Sequence, residues 1–419
     1  MVQYIKKIIN SRGNREPVLN LRDTNHFWGK VLTFLFKQQI CKVLPTAMCH
    51  GSCLAALPNG SLLCVWFGGS REGAADTEIY YSVGKPDYIR NKNRIQNHSK
   101  NEECNENDPD TGSVSCSWTS PVRITDMPEA CWNPVLLIQH EHVLLFFKTG
   151  NRISDWKTMV MLSRTDPVYW GHPRPLVPGD ASGGRGPVRT KPVILPSGRI
   201  CAGGSIERGD WQSFCDYSDN YGITWNRTAL LGLNLLSVRL QQPEEVSTED
   251  LSSKVFLPPL SPQSFNGRGV IQPVLWQEMS GKLHMYMRST EGYIYSSVSE
   301  DEGKHWTEPR ATELYNNNSG FDILRVPGGK LFMACNPVKG NWGARTPLAL
   351  FMGSEDGECW EMFLRLEKAE GEYSYPSLTY TFNGLWISYT YNRKNIAVAF
   401  LTWREIAQCR KFRIKTEKK

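Results

Sequence analysis

Five tryptophans close five imperfect copies of one short motif, and this repeat restricts the possible folds more than any other feature of the chain. The cleanest copy, Ser299-Glu300-Asp301-Glu302-Gly303-Lys304-His305-Trp306, fits Ser-x-Asp-x-Gly-x-x-Trp. Residues 218–225 (SDNYGITW) repeat it with Asn220 at the Asp position. Residues 163–170 keep only the terminal Ser and Trp, and residues 354–360 (SEDGECW) are one residue short. Ser82 and Trp118 read as the two ends of a fifth copy split by an insertion. Asp, Asn and Gly supply turn dihedrals, a short polar side chain bonds its own backbone, and a Trp fills the space between neighbouring units. The motif predicts a tight β-turn, and its recurrence predicts an array of like units.

A second pattern runs out of phase with the tryptophans: one polar residue, then Pro or a small residue, then an apolar run. Its instances are His50-Gly51-Ser52-Cys53-Leu54, Asn133-Pro134-Val135-Leu136, Lys191-Pro192-Val193-Ile194, Gln272-Pro273-Val274-Leu275, Asp322-Ile323-Leu324 and Tyr375-Pro376-Ser377-Leu378. Turns such as Pro58-Asn59-Gly60, Pro196-Ser197-Gly198 and Pro327-Gly328-Gly329 follow several of them and lead into a further apolar strand. The shorter spacings between instances are roughly 50–60 residues, the size of a four-stranded propeller blade. Two longer spacings hold insertions. Residues 85–117, rich in Asn, Lys, Glu and Asp, are expected to form a disordered surface loop, and residues 236–267 are rich in Pro and Ser.

The fold predicted is all-β, a six-bladed β-propeller of four-stranded antiparallel blades over residues 45–403. An N-terminal extension (1–44) precedes it and a basic tail (404–419) follows. Pro lacks an N–H donor and is expected at the first residue of the innermost strand, which has one edge on the central channel. These strands all start at one end of the channel. His50, Asn133, Lys191, Gln272, Asp322 and Tyr375 are therefore expected to converge on one mouth. A strand-start residue without special role is the ordinary alternative for any one of them, and a weaker one for all six together.

The net charge of +6 is concentrated towards the ends, near Lys6, Lys7, Arg12 and Arg15 and again over residues 410–419. It reads as solvated tails and not as a nucleic-acid or membrane surface. The twelve cysteines show no C-x-x-C pairs, and Cys49-His50-Gly51-Ser52-Cys53 has the wrong spacing for zinc, so reduced thiols and no metal are expected. Lys6 and Lys7 interrupt the first apolar stretch, which argues against a signal peptide, and Lys30, Lys37 and Lys42 argue against a membrane span over residues 27–44. Sequons at Asn59, Asn97, Asn226 and Asn317 are compatible with secretion, but a cytoplasmic, monomeric protein is the expectation. There is no Gly-rich phosphate loop, His-Glu-x-x-His helix or nucleophile elbow, and no cofactor is expected.

Gly68-Gly69-Ser70-Arg71-Glu72-Gly73, Cys131-Trp132-Asn133-Pro134, Thr190-Lys191-Pro192, Ile271-Gln272-Pro273, Arg345-Thr346-Pro347-Leu348 and Glu372-Tyr373-Ser374-Tyr375-Pro376 resemble the sialidase (neuraminidase) superfamily. The similarity is to its branch of BNR or Asp-box propellers, and it covers roughly residues 45–403. It implies three arginines on a substrate carboxylate, a tyrosine nucleophile activated by a glutamate, and an aspartate acid/base. Guanidinium forks match carboxylates bidentately, and a neutral tyrosine approaches an anomeric carbon beside a carboxylate without the repulsion an Asp would meet.

By this resemblance Arg288 and Arg345 stand for the second and third arginines and Tyr375 for the nucleophile. His50 replaces the first arginine, and Gln272 replaces the glutamate. Gln cannot take a proton, which puts the usual tyrosine activation in question. Arg71 is placed to supply the missing guanidinium, and either Glu72 or Asp76 to be the acid/base. Asn133, Lys191, Asp322 and Glu372 complete the expected pocket. The ordinary alternatives are surface ion pairs for Arg288 and Arg345, a core tyrosine for Tyr375 and a loop salt bridge for Arg71 with Glu72. The activity implied is a retaining exo-glycosidase releasing a terminal acidic sugar, sialic acid by analogy, from a glycoconjugate. His50 and Gln272 motivate a second reading, a glycan-binding propeller without turnover. A glycosidase for uronate- or rhamnose-containing glycans is the third.

Overall fold

Short apolar runs separated by Gly- and Asn-rich turns pair with their sequence neighbours, so each group of four becomes one antiparallel sheet. The computed structural model describes residues 36–90, 111–233 and 267–410. Six sheets form in chain order. Blade one comprises Met48–Ala56, Leu62–Gly69, Glu78–Arg90 and Thr111–Trp118, with Val122–Arg123 also pairing to its third strand. Blade two is Cys131–Gln139, His142–Thr149, Lys157–Arg164 and Arg174–Pro175, and blade three is Val193–Ile194, Ile200–Glu207, Trp211–Ser218 and Asn226–Arg227. Blade four is Val270–Gln277, Leu283–Ser289, Tyr293–Ser299 and Arg310–Tyr315. Blade five is Asp322–Arg325, Leu331–Cys335, Leu348–Gly353 and Trp360–Glu367. Blade six is Tyr373–Thr381, Gly384–Tyr391, Asn395–Thr402 and, from the other end of the chain, Phe36–Gln39. The protein is a six-bladed β-propeller.

The first strands of the blades stand side by side around the axis. Leu54 N donates to Ser377 Oγ (3.1 Å) between blades one and six, Thr190 Oγ1 to the Pro273 carbonyl (2.6 Å) between three and four, and Leu378 N to Asp322 Oδ2 (2.8 Å) between six and five. Six apolar clusters, one per blade-to-blade interface, make up the core. Each motif tryptophan packs into a different one: Trp118, Trp170, Trp225, Trp306 and Trp360 fill five interfaces. The sixth is filled by Trp403, the first residue of helix α1 (Trp403–Arg410), with its Nε1 on the Phe382 carbonyl.

Two of the motif turns bond as their composition predicts. Ser299 Oγ donates to Asp301 Oδ1 (2.9 Å) and accepts from Gly303 N (2.9 Å), and Trp306 Nε1 donates to the Gly303 carbonyl (2.9 Å). Ser218, Asn220, Gly222 and Trp225 repeat the pattern. In blade one the expected serine is out of register. Ser82 bonds the Thr119 carbonyl as Ser297 bonds that of Thr307, so Gly84, against the face of Trp118, stands where Ser299 stands.

Several sequence expectations change here. Backbone pairing carries the propeller beyond 45–403. Phe36–Gln39 forms the outer strand of blade six, and the Asn395 side chain ties it down, accepting from Cys41 N (3.2 Å) and donating to the Gln39 side chain (3.0 Å) and the Cys41 carbonyl (2.9 Å). At the other end, α1 buries Ile406 in the core. Residues 85–117 are not simply a loop, because Glu78–Arg90 and Thr111–Trp118 pair as a long hairpin, and residues 91–110 lie outside the described part. Of the second insertion only Gly267 is described. The prolines Pro134, Pro273 and Pro376 sit in β-bulges and not at strand starts, because a bulge residue needs no ladder N–H.

Candidate active site

The bulges aim side chains into the mouth. Gly51, Asn133, Gln272 and Tyr375 occupy the same bulge position in blades one, two, four and six, with φ of +63°, +45°, +53° and +52°. A non-glycine residue held there costs about 1–3 kcal/mol, and such strain gathers at functional sites. In blade one the bulge residue is Gly51, so His50 enters one position earlier than Asn133, Gln272 and Tyr375 do. A side chain at position 51 would run into Phe67. Lys191 and Asp322 reach the mouth from ordinary backbone. Lys191 Nζ bonds Asp322 Oδ2 (3.1 Å) and Ser377 Oγ (2.9 Å), forming an ion pair between blades three and five.

Tyr375 is the hub. Arg288 NH1 donates to its hydroxyl at 2.8 Å. Three guanidinium carbons surround its ring, those of Arg189 (5.2 Å), Arg345 (5.4 Å) and Arg288 (5.7 Å) from the centroid. The His50 ring lies 4.4 Å away, and Gly320 lies against the phenol, where a β-carbon would come within 3.1 Å. Burial by itself raises the phenol's pKa, but Arg288 and Arg345 outweigh it and bring Tyr375 below the ordinary tyrosine value. His50 is pushed well down, first by burial and then by Arg393, Arg345, Arg189 and Arg288, so it is a neutral imidazole. Its Nδ1 meets Thr390 Oγ1 at 2.9 Å.

Arg189 and Arg288 are 1% and 3% exposed, and Arg345 is half-buried. Among the described residues no carboxylate lies within ion-pair distance of any of the three. Arg189 Nε, Arg288 Nε, Arg345 NH1, Gln272 Oε1 and His50 Nε2 are buried with no protein partner. An unsatisfied buried charge is strongly unfavourable, and a cluster of such groups around one point is the signature of a site awaiting a polar, anionic ligand. Asparagines hold the walls. Asn317 Nδ2 donates to the Gly343 (3.2 Å) and Ala344 carbonyls beside Arg345, and Asn336 Nδ2 to those of Pro347 and Tyr373 (both 2.9 Å).

The structure thus brings together His50, Arg288, Arg345, Gln272 and Tyr375. It does not bring in Arg71, which is exposed on the loop between two strands of blade one. Two arginines the sequence reading missed occupy the site instead. Arg189 precedes the polar-Pro pair of blade three and donates to the Pro376 carbonyl (2.9 Å). Arg393, in the Asn392-Arg393 turn of blade six, binds Glu372 Oε1 (2.7 Å) and Glu72 Oε2. Both proposed carboxylate roles are therefore altered: Glu72 and Glu372 are held by one guanidinium. Asp76 is exposed and accepts from Ser70 N and Oγ, which makes it a cap for its loop. The ten cysteines whose side chains are described are free thiols, and no described cluster of His, Cys, Asp or Glu has metal-binding geometry. No described helix is long and apolar enough to cross a membrane.

The chain is a ring of six sheets with a cationic mouth around a buried tyrosine. The family described as BNR repeat-like domain matches residues 60–387, and the chain belongs to it. A Dyadobacter fermentans protein of unknown function is similar with a TM-score of 0.59 and 12% identity, over 87% of this chain and 99% of that one. A Hadza microbial sialidase gives 0.58 and 13%, over 86% and 66%. Trypanosoma rangeli sialidase in complex with sialic acid gives 0.55 and 13%, over 87% of this chain but 56% of that one, so the chain spans little more than half its length. At these identities the likeness is one of fold. No curated protein matches the chain.

Proposed function

We propose that the protein is a retaining exo-glycosidase that releases a terminal acidic sugar, sialic acid by family likeness, from a glycoconjugate. The observation that carries this reading is the set of three arginines without carboxylate partners, Arg189, Arg288 and Arg345, around the Tyr375 ring. A substrate carboxylate satisfies them, and guanidinium forks bind it bidentately. Tyr375 then faces the anomeric carbon, and the arginines that hold the carboxylate also favour its phenolate. In this reading Arg189 takes the place expected for Arg71, and Gln272 binds substrate without moving a proton. Hydrolysis of a fluorogenic sialoside by the wild type and by Tyr375→Phe tests it. A loss of about 10³-fold or more is expected for removal of a nucleophile, and equal rates take Tyr375 out of the mechanism.

Gln272 favours a second reading, a glycan-binding propeller without turnover. Binding of acidic glycans with no product at any pH would select it. A uronate-containing glycan presents the same carboxylate, and a panel of sialosides and uronosides separates those substrates.

A further inference from the structure

The two carboxylates that the sequence suggested for proton transfer are engaged elsewhere, Glu72 by Arg393 and Asp76 by its loop, and so are the pocket carboxylates Glu372, by Arg393, and Asp322, by Lys191 and Leu378 N. One further carboxylate stands at the mouth. Glu207 ends the second strand of blade three and is 5% exposed, and its Oε1 has no protein partner. Its position follows from strand register. Counting from the residue paired with the motif serine (Ile200 opposite Ser218, Leu283 opposite Ser299, Val143 opposite Ser163), Ser205 occupies in blade three the place of Arg288 in blade four and of Lys148 in blade two. Side chains two apart on a strand share a face, so Glu207 extends from the Ser205 face, one step nearer the opening. Its charged neighbours are Arg288, Lys148 and Glu72.

Resting on the proposed glycosidase activity, we propose that Glu207 is the acid/base residue of this site, delivering a proton to the glycosidic oxygen and later taking one from water. In the first step Tyr375, as the phenolate favoured by Arg288 and Arg345, bonds to the anomeric carbon. The bond to the leaving oxygen breaks with its electron pair on that oxygen, which takes the Glu207 proton. In the second step Glu207 carboxylate takes a proton from water as the water oxygen bonds to the anomeric carbon, and Tyr375 leaves as phenolate. Both groups end as they began.

The environment suits the role. Burial raises the Glu207 carboxyl to about 7 against the opposing pull of Arg288 and Lys148, so it holds a proton near neutrality and can give it up. Lys148 is fixed by Thr158 Oγ1 (2.8 Å) and the Arg185 carbonyl (2.7 Å), and burial lowers it to about 7.

The test compares the wild type and Glu207→Gln on two acidic glycosides, one alkyl-linked and one with a nitrophenyl leaving group. Loss of an acid catalyst lowers kcat/KM by about 10²–10⁴-fold on the alkyl substrate. The nitrophenyl substrate, whose leaving group needs no proton, is affected far less, and the basic limb of the pH profile disappears. Equal losses on both substrates, or no loss, overturn the assignment. A readout without turnover is the carboxyl resonance of ¹³C-labelled glutamate that is missing in Glu207→Gln. It is expected to titrate near neutrality and to move when the free acidic sugar binds. A resonance that ignores a bound sugar overturns the role of Glu207 and leaves the acidic-sugar site standing. A wild type that neither binds nor hydrolyses acidic sugars overturns both proposals.

Discussion

The clean outer turn and the mouth are built on opposite terms. At the outer turns every group of the clean motif copy has its partner: Ser299, Asp301, Gly303 and Trp306 bond one another within eight residues of chain. At the mouth, buried guanidinium, imidazole and amide atoms have none. Positive φ does not separate the two ends, since Glu302 of the clean turn shares it with Asn133, Gln272 and Tyr375. The clean turn is closed by its own bonds, although Trp118, Trp170 and Trp360 of other copies bury an indole Nε1 with no partner; the mouth differs in gathering charged and amide atoms without partners at one place. The difference separates residues kept for stability from residues that reduce it.

Replacing Arg288 by Met gives the largest expected contrast. Removing a charge-assisted contact at a buried site lowers kcat/KM, or affinity if the protein only binds, by at least about 100-fold. The same change leaves thermal stability equal or higher, because an uncompensated buried charge is removed. Kinetics and a melting curve on one sample check both halves, and a destabilised Arg288→Met protein breaks the contrast. Ser299→Ala is the converse. It deletes a buried hydroxyl with two bonds, with an expected loss of about 1–2 kcal/mol in denaturant unfolding and no change in kcat/KM.

The pH dependence of stability divides the mouth internally. His50 is held below its ordinary 6.5, so the unfolded chain binds the extra proton first, and stability falls as pH drops below about 6.5. Glu207, raised from 4.5 to about 7, acts in the other direction, and its contribution is lost as pH rises between those values. Unfolding titrations of His50→Gln and Glu207→Gln are each expected to flatten one limb only. The smallest effect belongs to Asp301→Asn. Asn220 Oδ1 already accepts from Thr224 N at 2.9 Å, as Asp301 Oδ1 does from His305 N, so the change costs no more than about 0.5 kcal/mol. A larger loss would show that the two turns are not equivalent.

The same division explains what could be read from sequence. Turns closed by local bonds leave local motifs, of which five were legible, and the count of six blades followed from the polar-Pro-apolar pattern that runs out of phase with them. Tyr375, Arg288 and Arg345 were legible through short strings around the bulges. Arg189 was not, because the reading stopped at Lys191, two residues later, and no rule fixed which residue of Arg189-Thr190-Lys191 turns inward. Arg393 lies in an ordinary-looking turn, which Cys49 N of the neighbouring blade one meets at its carbonyl (2.9 Å) and which Glu72 and Glu372 hold by the guanidinium. Lys148 and Glu207 did leave a trace: Glu207 is the last residue of a buried strand and Lys148 the last but one, directly after Leu144-Leu145-Phe146-Phe147. A charge at the close of such a run, in phase with Arg288 of another blade, marks a second ring of mouth positions that only register reveals.

The joining of Phe36–Gln39 to Asn395–Thr402 gives the chain a direction in time. During synthesis the outer strand of blade six is made before every other described strand and waits until the rest of that sheet emerges. Tyr375 belongs to that same late sheet. Arg189, Arg288 and Arg345 all precede Tyr375 in the chain, so a partly made chain carries the guanidiniums of the mouth before the phenol they surround.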